Sequence, residues 1–120
     1  MRYYFFMDDK TIVSSSVVGK RLDSIIKREK AFYLSFKGTK IPIVSIISIG
    51  RAPENSVVID NKLASRHHAV IQKIKNEYFL KDLQSTNGTY LNGERIPVGK
   101  YVKLSRNDTI SIGKTNLILG

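Results

Sequence analysis

From residue 31 onward, apolar positions fall in short runs separated by glycine, asparagine, serine or charged residues about every eight to twelve positions. Ala31 to Phe36 alternates weakly and reads as a first strand, followed by a turn at Lys37-Gly38-Thr39-Lys40. Ile41 to Ile49 reads as one or two strands interrupted at Ser45 or Ser48, with Pro42 suited to a sheet edge because it has no N–H to give a ladder. A turn at Glu54-Asn55 precedes Ser56 to Asp60, and Lys75-Asn76-Glu77 reads as a hairpin turn between Ala69–Ile74 and Tyr78-Phe79-Leu80. Asn92-Gly93 is a turn signal because both residues tolerate positive φ. Four more runs follow, at Arg95–Pro97, Tyr101–Leu104, Thr109–Ile112 and Asn116–Leu119. This rhythm predicts an all-β domain over residues 31–120, an antiparallel β-sandwich of about ten to eleven strands with no helix.

Residues 1–30 follow a different pattern and read as an N-terminal extension. Arg2 to Met7 suits a short strand, and Thr11 to Val18 suits a linker or another strand. Leu22 to Lys30 suits a short helix, with Asp23 as N-cap, Leu22, Ile25 and Ile26 at helical spacing, and Lys27, Arg28 and Lys30 where a helix C-terminus favours cations. Thr11 and Ser14-Ser15-Ser16 are hydroxyls available as phosphoacceptors, while the bland reading of the segment is a flexible leader.

Composition narrows the function classes. A chain of 120 residues is one domain's worth and buries a core without staples. The absence of cysteine excludes disulfides and thiolate metal sites, and the run Tyr3 to Met7 is too short for a signal sequence, so the expected location is cytoplasmic, away from membranes. The net charge of +10 is spread evenly, with 9 basic against 4 acidic residues in 1–47 and 11 against 6 in 48–120. An even spread describes a soluble basic surface that steers acidic partners, whereas a nucleic-acid site needs its cations gathered on one face.

The chemistry concentrates between Gly50 and Gly93, in three polar clusters at loop positions: Gly50-Arg51, Ser65-Arg66-His67-His68-Ala69 and Ser85-Thr86-Asn87-Gly88-Thr89. Arg51 and Arg66 supply guanidinium forks, Ser65 and Thr86 hydroxyl donors, and Asn87 an amide that donates and accepts. With no acid inside any cluster, the set suits a doubly charged tetrahedral anion.

Gly-Arg, then Ser-Arg-x-His-Ala, then Asp-x-x-Ser-Thr-Asn-Gly-Thr-x-x-Asn-Gly, in this order and spacing, resembles the forkhead-associated (FHA) domain, a phosphothreonine-peptide-binding module. The resemblance covers about residues 31–120 and implies a β-sandwich that binds its peptide with loops at one end. It implies Arg51 as the main phosphate ligand, Ser65 and Thr86 as hydroxyl donors to the phosphate, Arg66 against phosphate or peptide backbone, and Asn87 on the peptide main chain. It assigns His68 to bracing the loops, with Gly50 and Gly88 supporting their conformation. The implied partner is a protein phosphorylated by a serine/threonine kinase, with no cofactor, no metal and no catalysis. A phosphate-independent interaction scaffold, possible on the same fold, is the alternative.

Leu63, two before Ser65, stands where some members carry a basic residue that selects acidic peptides, so the resemblance implies an apolar or small preference here. Asn107-Asp108 replaces a frequent Gly-Asp, and asparagine can take the same left-handed turn. Enzyme readings fail on the residues. Ser65, His68 and Asp82 lack a nucleophile elbow, and Gly113-Lys114-Thr115 lacks the upstream glycine of a P-loop, since position 108 is aspartate. His67 and His68 are adjacent, so their side chains cannot converge on one ion.

Overall fold

The computed structural model describes residues 31–120, and the strand and helix expected within residues 1–30 lie outside that range. Eleven strands form two sheets packed face to face. One sheet holds β2 (Thr39–Pro42), β1 (Tyr33–Phe36), β11 (Thr115–Leu119), β10 (Thr109–Ile112), β7 (Tyr90–Leu91) and β8 (Glu94–Arg95), in that order. The other holds β4 (Val57–Val58), β3 (Ile46–Gly50), β5 (Ala69–Ile74), β6 (Glu77–Asp82) and β9 (Val102–Lys103). The strand pairs are antiparallel apart from β3 with β4, which run parallel because the Arg51–Ser56 loop carries the chain back to lie beside its own origin.

Period-two alternation sets which side chains meet between the sheets. Ile47, Ile71, Leu80 and Val102 are directly opposed across β3, β5, β6 and β9, and form one continuous apolar row. The facing sheet supplies Leu117, Ile110 and Leu91 in a second row, with Leu34 opposite Leu119. These residues form a single buried cluster, and each full burial of a leucine or isoleucine contributes about 1.5–3 kcal/mol.

Tight turns set the registers. Lys37 and Gly38 both have positive φ, as do Asn92 and Gly93, which is the two-residue geometry that matches strand twist. Thr39 and Lys40, expected in a turn, instead open β2, because Lys37-Gly38 alone reverse the chain. Pro42 ends β2 on the outer edge of its sheet. Asn107 takes the left-handed conformation, with φ 72°.

Candidate functional site

Three loops gather at the end of the sandwich where β3 and β6 finish and β5 begins: Arg51–Ser56, Ile59–His68 and Leu83–Thr89. Their backbones are tied before any side chain is considered. Arg51 N–H donates to Ser65 O (2.9 Å), Ala52 N–H to Arg66 O (3.1 Å) and His68 N–H to Ile49 O (2.9 Å). This close approach is why position 50 is glycine, since a Cβ there would run into the Arg66 carbonyl oxygen.

Buried polar side chains complete the framework. Asn55 donates its amide to Ala52 O (2.9 Å) and Arg66 O (2.8 Å), clamping the Arg51 loop to the Arg66 loop. The ring of His68, fully buried, accepts from Ser65 N–H at Nδ1 (2.9 Å), so its proton resides on Nε2 and is donated to Gly88 O (2.9 Å). A single neutral imidazole thereby joins two loops. Asp82, at the end of β6, accepts from Ser85 Oγ (2.5 Å) and Thr89 Oγ1 (2.6 Å) at Oδ1, and from Ser85 N–H (3.1 Å) at Oδ2. Ser85 Oγ in turn accepts from Gly88 N–H at 3.0 Å, which closes the turn from inside. Burial pushes the Asp82 carboxyl up, but the hydrogen bonds from the Ser85 and Thr89 hydroxyls and the Ser85 N–H outweigh burial and hold it below the usual carboxylate range.

With the loops fixed from below, the remaining donors stand at the surface. Thr86 and Asn87 are exposed at the tip of the turn that Asp82 and Ser85 close. Thr86 N–H donates to Ser65 Oγ (3.1 Å), which leaves the serine proton available, and Asn87 Nδ2 donates to Leu63 O (3.0 Å). Arg51 spends its Nε–H on Ala64 O (3.0 Å), fixing the guanidinium plane while its two NH2 groups remain for a ligand. Arg51, Ser65, Arg66, Thr86 and Asn87 line one recess of about 350 Å3 together with the Lys62–Ala64 stretch, and no carboxylate lines it.

The expected site residues therefore lie together, with His68, Gly50 and Gly88 beneath or behind them. Gly88 has φ +89°, a left-handed conformation that favours glycine, while the space beside it is filled only by the movable end of the exposed Arg95 side chain. His67 is mostly exposed on the rim, 3.6 Å from Glu54. Among the described residues no group of three His, Cys, Asp or Glu side chains is placed to hold a metal ion.

Three contributors escaped the sequence reading. Lys62 lines the recess, Asn55 clamps two loops rather than merely forming a turn, and Asp82 organises Ser85–Thr89 rather than serving a triad. Only the last had a local signal. Asp-x-x-Ser is the spacing at which a carboxylate caps a turn, and the threonine at position 89 adds a second donor.

Comparison with known proteins follows the same geometry. The glycogen accumulation regulator GarA of Mycobacterium tuberculosis is 39% identical over 74 residues, which cover 62% of this chain and 44% of GarA. FhaB, an FHA domain-containing protein of Mycolicibacterium smegmatis, is 38% identical over 79 residues, 65% of this chain and 50% of FhaB. The chain thus spans half or less of the length of these curated relatives. The crystal structure of the MEK1 FHA domain in complex with a HOP1 phosphothreonine peptide superposes with a TM-score of 0.68 at 30% identity, over 74% of this chain and 94% of that one. The sequence profile of the FHA domain matches residues 47–113. That match runs from inside β3 to the β10–β11 turn, takes in all the recess loops and covers more than half of the chain, which therefore belongs to the FHA domain family.

Proposed function

We propose that residues 31–120 act as a phosphothreonine-dependent protein-binding module whose ligand phosphate occupies the recess between the three loops. The observation that carries this reading is the lining itself: guanidinium groups, hydroxyls and an amide around one opening, without a carboxylate. Phosphothreonine brings about −1.5 to −2 charge and three acceptor oxygens, which such donors match with charge-assisted hydrogen bonds. Arg51 and Arg66 balance the charge, Ser65 and Thr86 donate from their hydroxyls, and Asn87 takes the peptide main chain with its remaining amide valences. An unphosphorylated threonine offers these groups no anion. The module binds and does not catalyse; its partner is a protein phosphorylated by a serine/threonine kinase, met in the cytoplasm.

Calorimetric titration with degenerate phosphothreonine, phosphoserine and unphosphorylated peptide pools tests the reading. Selective heat from the phosphothreonine pool is expected. Arg51→Ala should weaken that binding about 10- to 150-fold, the range for hydrogen bonds to a charged group. Equal binding by parent and Arg51→Ala would remove the phosphate assignment, and silence from every pool would favour a phosphate-independent scaffold.

A further inference from the structure

The chain carries two Asn-Gly steps, Asn87-Gly88 in the recess and Asn92-Gly93 in the turn between β7 and β8. In such a step the asparagine side chain is open to attack by the next backbone nitrogen, because glycine puts no side chain in the way. The two steps are held differently. Asn92 is fixed through its carboxamide, which donates from Nδ2 to Asp108 Oδ1 and accepts at Oδ1 from Thr109 N–H, both at 2.9 Å. Asn87 has an exposed side chain, with Nδ2 donating to Leu63 O at 3.0 Å. What is fixed at this step is the attacking nitrogen. Gly88 is buried, its N–H donates to Ser85 Oγ (3.0 Å), Ser85 Oγ is itself anchored on Asp82 Oδ1, and Gly88 O takes the proton of His68 Nε2. The nitrogen must give up the Ser85 bond before it reaches Asn87 Cγ, so the rate of attack follows the fraction of time for which this turn is open.

We propose that Asn87 is a site of spontaneous deamidation, held in check by the Asp82–Ser85 bonds beneath it, and that its conversion switches the recess off. Hydroxide removes the Gly88 N–H proton, the nitrogen forms a bond to Asn87 Cγ, and the Cγ–Nδ2 bond breaks, releasing ammonia as Nδ2 takes a proton from water. Water then opens the resulting cyclic imide at either carbonyl. One opening leaves aspartate at position 87, and the other leaves isoaspartate, with the main chain rerouted through Cγ. Either product adds a carboxylate to a recess that is lined by none, beside the donors that an anion would use. The loss of binding rests on the phosphothreonine reading of the recess, whereas the lability of Asn87 does not.

The test is to age the full chain at mildly alkaline pH and follow aspartate and isoaspartate at positions 87 and 92 by fragment-ion mass spectrometry, with Asn92 as the internal reference. Both should form slowly in the folded parent and at similar, faster rates in concentrated guanidinium chloride. Ser85→Ala removes the acceptor of Gly88 N–H and should speed position 87 about 5- to 150-fold, the factor for a lost buried hydrogen bond, while position 92 keeps its rate. Ser85→Thr keeps the hydroxyl and should stay near the parent. The aged fraction modified at position 87, separated by its lower positive charge, should bind the phosphothreonine peptide pool at least about ten-fold more weakly than the intact fraction. Position 87 reacting in the folded parent as fast as in denaturant, equal acceleration of both positions in Ser85→Ala, or undiminished binding by the modified fraction would each overturn the proposal. Failure of the underlying reading has a different signature, in which the intact fraction binds phosphorylated peptide no better than its unphosphorylated counterpart while the ageing rates keep the pattern above.

Discussion

At the end of the sandwich where β5 begins, long loops are tied down by buried polar side chains; where β5 finishes at Ile74, Lys75-Asn76 suffice to turn the chain into β6. The second end is closed by an aromatic stack on the rim of the core and by an ion pair. Phe32 stacks on Tyr78 with ring centroids 4.3 Å apart, Arg106 lies over the Phe32 ring, and Lys103 pairs with Glu77 at 2.9 Å in a half-exposed bridge. The difference shows what each kind of contact is suited to. A hairpin needs only a backbone geometry, and exposed ion pairs add little to it. A recess must hold exposed donors at fixed positions, so its loops need internal acceptors and donors that water cannot replace.

The largest expected effect comes from breaking that inner framework at Asp82. Asp82→Ala strands the Ser85 and Thr89 hydroxyls and the Ser85 N–H, and should lower stability by about 2–4 kcal/mol, read as a fall in the urea midpoint at unchanged slope. Phosphopeptide affinity should fall with it, because Thr86 and Asn87 ride on the same turn. The pH dependence has a definite sign. Because the folded carboxyl titrates below its unfolded value of about 3.9, its contribution is complete above that pH and is lost as pH falls through the lower folded value. Urea midpoints taken from pH 6 down to pH 2 should therefore decline below about pH 4 in the parent, with a shallower decline in Asp82→Asn. A variant that keeps the parental stability and profile would contradict the contrast between the two ends.

A smaller effect is expected at Asn55, whose amide serves two carbonyls in different loops. Asn55→Ala should cost about 1–2 kcal/mol in chemical denaturation and weaken the phosphopeptide by loosening Arg51 against Arg66. The smallest is at the other end. Lys103→Ala should change the urea midpoint by less than about 1 kcal/mol equivalent and leave the peptide titration curve unmoved. A Lys103→Ala loss as large as that of Asn55→Ala would erase the distinction.

Much of the sandwich was legible because alternation and turn residues are local signals. Ile47, Ile49, Ile71, Ile110 and Ile112 read inward from period two, and Asn92-Gly93 predicts its own turn. Phe79 breaks the rule: it sits on the outer row between Gln72 and Lys103, yet is buried at the edge of the Tyr101 ring, a cover supplied from a different part of the chain. The recess residues Arg51, Ser65, Arg66, Thr86 and Asn87 were legible as glycine-punctuated polar clusters in otherwise apolar surroundings. Asn55 was not, because a turn-forming asparagine and one that reaches a carbonyl eleven residues away look the same in one dimension. Lys62 was not either, since an exposed lysine in a loop carries no sign of which way the loop folds.

The His68 bridge has a kinetic consequence. One ring nitrogen accepts from the loop that carries Ser65, and the other donates to the loop that carries Asn87. The first bond is local to the loop that carries His68 itself and fixes the ring, and the second is the one that crosses to the neighbouring loop. Parting the two loops therefore breaks three ties together, the buried His68–Gly88 bond and the surface bonds from Thr86 N–H to Ser65 Oγ and from Asn87 Nδ2 to Leu63 O. A recess wall held by one tie out of reach of water and two in contact with it separates more slowly than a wall held at the surface alone.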